Sequence, residues 1–558
     1  MIHKNEIHKD DILNYFLYPI EYDDNKILIS NDIKNDLEIQ TNNCPYKIIF
    51  KTSNQLGDIM TKKWGEYYSN NKKYIKHMRD FITSYKKITL SNEELFFNNY
   101  IEFKNERNFL KKYDFISWKH LDFINNSSNL LQLMTYYNIT SPLINLCLPL
   151  ILFIMPFFML SFFTNMNISF YSYKILLQKQ LKNHSLGKLF NIFSPNISNQ
   201  EKVSASLGVA FYFFSIYQSI LAGIGFYKNI NNINQFLYDY KSFIIKSIDN
   251  IHLLERNSKY IKKFNKHLVE NKNKLKNYLC YFDKINNSKF SLSSIINNGE
   301  NMKLFNELFH NEEMHKTIMF SFGLTGFIDN LNKLKERINN KKMNKVKLSN
   351  KNKLINQYYI YVNKPVKNSI DLDNNYILTG PNASGKTTLL KTTILNLFFS
   401  QQFGYGCYEK CYLNPYDFIY SYINIPDTSE RESLFELEAK RCLFIINEIE
   451  RLKTQRNFII FDELYSGTNN YEAIISANSY LKYLINKKIN FILTTHFKEL
   501  TKIENIENYK MDCNIDNSNN IIYKYKFIKG VNNINGGLKV LENMDYPREI
   551  IMSIKNKI

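Results

Sequence analysis

Between residues 376 and 399 the chain carries a short apolar run, a glycine-bracketed octapeptide and a helical stretch. That succession fits a strand, a tight loop and a helix of an open α/β sheet. Tyr376-Ile377-Leu378-Thr379 reads as the strand and Leu389 to Phe399 as the helix. Between them stands Gly380-Pro381-Asn382-Ala383-Ser384-Gly385-Lys386-Thr387, with Thr388 behind it, in the pattern Gly-x-x-x-x-Gly-Lys-Ser/Thr of a phosphate-binding loop. Glycines let backbone N–H groups turn inward around phosphates, aided by the positive end of the following helix. Lys386 is the residue to neutralise β- and γ-phosphates, and the Thr387 hydroxyl can ligate Mg2+. ATP with Mg2+ is the expected ligand.

Such a loop requires a carboxylate at the end of a neighbouring strand. Phe458-Ile459-Ile460-Phe461 is an apolar run ending in Asp462-Glu463. Asp462 is expected to hold the magnesium shell, and Glu463 to orient and deprotonate the attacking water. A third strand, Asn490 to Thr494, ends in Thr495-His496, which places His496 where it can sense the γ-phosphate.

The order of these elements is more specific than any one of them. TGPNASGKTT, then SLFELE, then FIIFDELYSGT, then TTHFKEL resembles the ATPase domain of the MutS mismatch-repair family. Members carry TGPN-x-x-GK-S/T-T, S-x-F-x-x-E, DEL-x-x-GT and TH-x-x-EL. The matching positions are Thr379 to Thr388; Ser433, Phe435 and Glu438; Asp462, Glu463, Leu464, Gly467 and Thr468; and Thr495, His496, Glu499 and Leu500. Gly406-Cys407, Asp427, Asn368, Phe527 to Gly530, Gly537 and Tyr546-Pro547 are similar to further family positions, so the resemblance covers about residues 350 to 558. It implies an α/β P-loop NTPase fold of the ABC-like type. It also implies a composite site in a homodimer or a pair of related subunits, Ser433 acting in trans from the start of a helix Leu434 to Lys453. Catalytic roles thus fall to Glu463, His496 and Ser433, nucleotide binding to residues 380–388, and metal binding to Thr387 and Asp462. The family implies DNA, mismatched or branched, as partner. Tyr408-Glu409-Lys410-Cys411 and Tyr465-Ser466 depart from the family, leaving the contacts of the first segment open.

Four parts are expected: 1–137, mainly helical; 138–227, a hydrophobic helical hairpin; 228–345, long helices that resemble the family's lever region in placement; and 346–558, the ATPase domain. Leu143 to Thr164 and Val203 to Tyr227 are uncharged, and a bilayer needs about 20 apolar residues per span. A loop with Lys174, Lys179, Lys182, Lys188 and Lys202 joins them. Two readings stand, a membrane hairpin or buried helices of a large core. With the ATPase in the cytosol, the lysine-bearing loop would face outward, against the positive-inside tendency. Asn340 to Lys353, rich in Lys, reads as a linker or boundary.

The net charge of +20 favours polyanions, DNA or an anionic membrane surface. The 40 Tyr and 42 Phe, beside abundant Asn, Lys and Ile, point instead to AT-rich coding. The seven Cys are scattered and the N-terminus is polar, which fits reduced thiols in a cytoplasmic or nuclear compartment, with membrane association under the hairpin reading. Cys407 and Cys411 lack a second pair at zinc spacing, and His310 and His315 stand five apart, so neither pair is read as a metal site. Phe305-Asn306-Glu307 has the letters of the family's mismatch wedge but falls in a helical stretch far from the N-terminus. An ABC transporter would need an LSGGQ-like signature where Ser433 to Glu438 stands. A membrane-anchored MutS-like ATPase with another role is the alternative to mismatch repair.

Overall fold

The computed structural model describes residues 6–91, 93–163, 169–183, 198–258, 261–283, 297–423, 433–452, 456–515, 521–534, 538, 541, 542, 544 and 546–556. Asp427, Gly537 and Lys188 lie outside the described residues. Two compact units emerge, each discontinuous in sequence: residues 1–7, 96–246 and 274–316 form one, and residues 8–95, 247–273 and 317–558 the other.

The second unit is built on a six-stranded sheet. Its order is Ile521–Lys529, Glu507–Ile515, Tyr376–Thr379, Asn490–Thr494, Asn457–Asp462, Phe418–Tyr422. All neighbours pair in parallel except the outer hairpin Glu507–Ile515 with Ile521–Lys529. The inner strands are covered on both faces, so they are continuous apolar runs without alternation. Register aligns their ends: Thr494 stands opposite both Leu378 and Asp462. The carboxyl ends of the strands, where open α/β sheets bind ligands, therefore meet along one edge.

A second, five-stranded sheet has the order Asn368–Asp371, Lys353–Gln357, Lys410–Leu413, Asn344–Leu348, Tyr405–Gly406. It corrects the expectation for Asn340 to Lys353, which is not a linker. Asn344–Leu348 pairs in parallel with Lys410–Leu413, its lysines alternating with the buried Val346. Lysine-rich composition hid a strand whose period of two was already in the sequence.

Residues 8–95 pack within this same unit. Trp64 is the hub, with ring centroids 4.6 Å from Tyr18 and 4.8 Å from Phe403, and Phe50 is stacked on it. The helix that follows the loop, Lys386–Gln402, is buried along nearly its whole length, including Gln401 and Gln402. Those amides are satisfied from the N-terminal segment: Gln402 donates to Trp64 O at 2.6 Å and Tyr67 O at 2.7 Å, and Gln401 to Ser69 O at 2.9 Å.

In the first unit, helix Ser128–Phe163 contains the first apolar run as far as Phe163, with Pro149 and Pro156 inside it. The second run lies in helix Asn199–Ser258, which continues for 60 residues. The two run antiparallel where they touch. Tyr212 donates to Leu146 O at 2.7 Å, Asn145 bonds Ser219, and Gly223 lies against Asn138 O. The lysine segment is not simply a loop: Lys174, Lys179 and Lys182 belong to helix Phe170–Asn183, whose Tyr173 ring stands 4.9 Å from Phe157. Among the described residues one helix, Lys202–Arg256, is long and apolar enough to cross a membrane. Phe305 is buried against Phe103 and Tyr113, a core position unlike that of an exposed wedge. His315 pairs with the Tyr100 hydroxyl at 2.9 Å.

Candidate nucleotide site

The loop from Gly380 to Gly385 leaves the central strand and enters helix Lys386–Gln402. Gly385 has φ +94°, and a Cβ there would stand 3.1 Å from the Tyr525 ring, so glycine suits this turn on two counts. Ala383 is also left-handed, with φ +61°, a strained conformation for a residue with a Cβ. The Ser384 side chain is buried, and its hydroxyl has no hydrogen-bond partner among the described residues. An orphaned hydroxyl inside a ring of loop amides fits an incoming phosphate oxygen.

Lys386 is buried and donates to Gly380 O at 2.9 Å and Pro381 O at 3.3 Å. Burial holds its ammonium below the ordinary lysine value, against the pull of Glu463 and Asp462. Thr387 donates to Asp462 Oδ2 at 2.6 Å, and Thr494 bonds the other carboxylate oxygen. Two hydroxyls, one from the helix and one from the adjacent strand, thus hold both oxygens of Asp462. Hydroxyl and carboxylate oxygens are the hard donors Mg2+ takes, so Thr387 and Asp462 could hold one.

The next residue, Glu463, has φ +57°, and its N–H bonds Thr494 O at 3.1 Å. This left-handed step takes it out of the strand. His496 Nε2 lies 2.9 Å from Glu463 Oε1 and 3.4 Å from Lys386 Nζ. The shorter contact is the hydrogen bond; Nε2–H donating to the carboxylate cannot also accept from the ammonium. That bond holds Glu463 below the usual carboxylate value, so it is ionised near neutral pH, the state a general base needs.

A cavity of about 650 Å3 opens over the loop. Glu463 and residues 382–388 line it together with Tyr359, Val362, Met511 and Tyr525, the last two packed against the loop glycines. The structure therefore brings together the loop, Lys386, Thr387, Asp462, Glu463 and His496. It leaves Ser433 apart from the cavity lining, exposed, with its Oγ accepting the Glu436 N–H at 3.2 Å at the start of helix Leu434–Leu452.

Residues 376–558 match the family model described as MutS domain V. This third of the chain is similar to the fifth domain of the MutS family. Three proteins named DNA mismatch repair protein MutS are similar to it. That of Fusobacterium nucleatum is 31% identical over 202 residues, covering 35% of this chain and 22% of the relative. That of Prochlorococcus marinus is 31% identical, covering 34% and 21%. That of Caldicellulosiruptor saccharolyticus is 29% identical, covering 33% and 22%. The chain thus spans about a fifth of the length of the curated relatives it matches.

Within this matching region, the serine element has an internal task. Glu438, buried, accepts from Ser466 N at 3.0 Å, Ser466 Oγ at 2.9 Å and Gly467 N at 3.1 Å. Those residues follow Asp462-Glu463, so the S-x-F-x-x-E and DEL-x-x-GT motifs are two halves of one contact. A Cβ on Gly467 would come within 2.7 Å of Phe435 N, which keeps that position small. Asn368 is equally absorbed by structure: it donates to Tyr525 O and accepts from Phe527 N, both at 2.9 Å, tying the small sheet to the outer hairpin. Cys407 and Cys411 are buried thiols, each pushed up to about 12 by burial. Spacing alone did not reveal the cavity's second wall, from Tyr359 and Val362; the only signal was an aromatic pair before Asn368.

Proposed function

We propose that this chain is a MutS-type ATPase that binds ATP with Mg2+ on residues 380–388 and hydrolyses it, using the cycle to work on DNA. The Thr387–Asp462 hydrogen bond carries this reading, because it joins the loop to the carboxylate strand beside Lys386. In it, Lys386 and the loop amides hold the phosphates, Thr387 and Asp462 hold the metal, and Glu463 takes the proton of the attacking water. His496 donates to Glu463 at rest and is placed to respond to an occupied loop. Ser433, exposed at a helix start, supports a composite site completed by a second copy or a related subunit. Residues 346–558 form the ATPase module. The net charge of +20 and the relatives' name support DNA as the partner. A mismatch-repair role is part of this reading.

Glu463→Gln is expected to bind ATP but turn it over about 10²–10⁴-fold more slowly and to accumulate as a dimer. Its ATP-bound form, titrated at fixed salt with homoduplex, mismatched and branched duplexes, should prefer one of them. Unchanged turnover removes Glu463 from the chemistry, and equal weak binding to all three removes DNA recognition.

A membrane-anchored ATPase with a role outside mismatch repair is the second reading. Helix Lys202–Arg256 favours it, since none of its most apolar window is buried. Phe211, Phe213, Phe214 and Tyr217 are exposed there, as are Leu143 and Leu146 on the partner helix. Expressed protein should then stay with membranes at alkaline pH; release into the supernatant argues for the DNA-bound, soluble alternative.

A further inference from the structure

Residues 31–36 hold a charged group that the nucleotide site does not use. Asp36 ends helix Asn31–Asp36 and is 1% exposed. One of its oxygens, Oδ2, accepts from Ser421 Oγ at 2.7 Å, Ile423 N at 3.1 Å and Arg441 Nη2 at 2.7 Å. Arg441 lies on helix Leu434–Leu452, also donates to Ser421 O at 2.9 Å, and has its guanidinium carbon 5.7 Å and 5.9 Å from the Tyr420 and Tyr422 ring centres. Its Nε is buried without an acceptor among the described residues. A buried guanidinium left partly unsatisfied is costly, and packing alone would not select it over an apolar side chain.

What the pair fixes is a helix with two other commitments. Glu438, one turn before Arg441, pins Ser466 and Gly467 behind Glu463, and Ser433 stands at the same helix's start. A shift of this helix relative to strand Phe418–Tyr422 would move both. We propose that Asp36 and Arg441 are positioning residues, through which the N-terminal segment sets the serine helix and the loop behind Glu463 in register for ATP turnover, without touching nucleotide. This rests on the ATPase reading above.

The test uses the full chain with three variants: Asp36→Asn, Arg441→Gln, and the apolar pair Asp36→Leu with Arg441→Met. Buried ion pairs replaced by apolar side chains commonly keep or gain stability, so the third variant separates register from scaffolding. In all three, kcat should fall about tenfold or more, as small misplacements of reacting groups do, while KM for ATP stays within about twofold. The apolar pair should melt at or above the wild-type temperature and remain slow. Recovery of turnover together with stability in the apolar pair makes the ion pair a scaffold only and overturns the proposal, as does wild-type kcat in either single variant. Turnover by the wild type, lost in Lys386→Ala, tests the ATPase reading separately; if the wild type is inactive, that reading fails first.

Discussion

Lys386→Ala is expected to weaken ATP binding severely while leaving the melting temperature unchanged or higher. Lys386 is buried against two carbonyls and has no ion pair at contact distance among the described residues. Burial lowers its pKa, so the charged form is disfavoured in the folded state relative to the unfolded chain. A lowered lysine pKa weakens the fold at every pH below the folded value, and the penalty disappears only above the unfolded one. Neutral pH lies inside the penalised range, so alanine relieves it. Against phosphate the balance reverses. Removing one partner of a buried, hydrogen-bonded charge pair costs about 2–5 kcal/mol, roughly 30-fold to 4,000-fold in affinity. Calorimetric titration with ATP and a thermal melt on the same sample check both halves. Full affinity in the variant would sink the site, and a large fall in melting temperature would sink the account of its cost.

The isolated segment 317–558 is expected not to fold cooperatively, although it contains the whole region matching the family model. Without residues 8–95, Gln402 loses Trp64 O, Tyr67 O and the Tyr46 hydroxyl, whereas Gln401 loses Ser69 O and keeps its two bonds to Tyr416. Arg441 is left facing no carboxylate at 2.7 Å. Each buried polar group left unmatched costs about 1–3 kcal/mol, and removing a buried tryptophan such as Trp64 costs about 3–5 kcal/mol. The sum matches or exceeds the roughly 5–15 kcal/mol that holds a domain together. The fragment should show helical far-UV circular dichroism, little near-UV signal and dye binding, and recover a sharp transition when 8–95 and 247–273, the other two segments of the same unit, are supplied in trans. A sharp transition in the fragment alone would refute this.

The residues of the candidate nucleotide site were legible as neighbours because their signals are local. Gly380 to Thr387 is contiguous, and Asp462-Glu463 and His496 each terminate an apolar run, which positions them before any tertiary contact is known. The role of Glu438 was legible only as a letter; its bonds to Ser466 and Gly467 join segments 28 and 29 residues apart, which no spacing rule links. Residues 8–95 gave no sign of belonging with the C-terminal sheet. Several of their buried aromatics face partners hundreds of positions away, and apart from helix Lys72–Ser84 their helices are too short to declare a face. The strand Asn344–Leu348 was missed because three of its features, an Asn and two Lys, argue for solvent until the alternating Val346 is weighed.

The pairing of Asp36 with Arg441 spans 405 positions. A ribosome adding about 5–20 residues per second takes roughly 20–80 s to cover that distance. Throughout that time Trp64, Tyr46 and Tyr68 are synthesised but lack the segments that will bury them. The intervening unit is made meanwhile, so newborn chains carry an unfinished, sticky beginning that invites chaperones. Slowing elongation before residue 376 should therefore lower the yield of native protein, whereas slowing it after residue 460 should matter little.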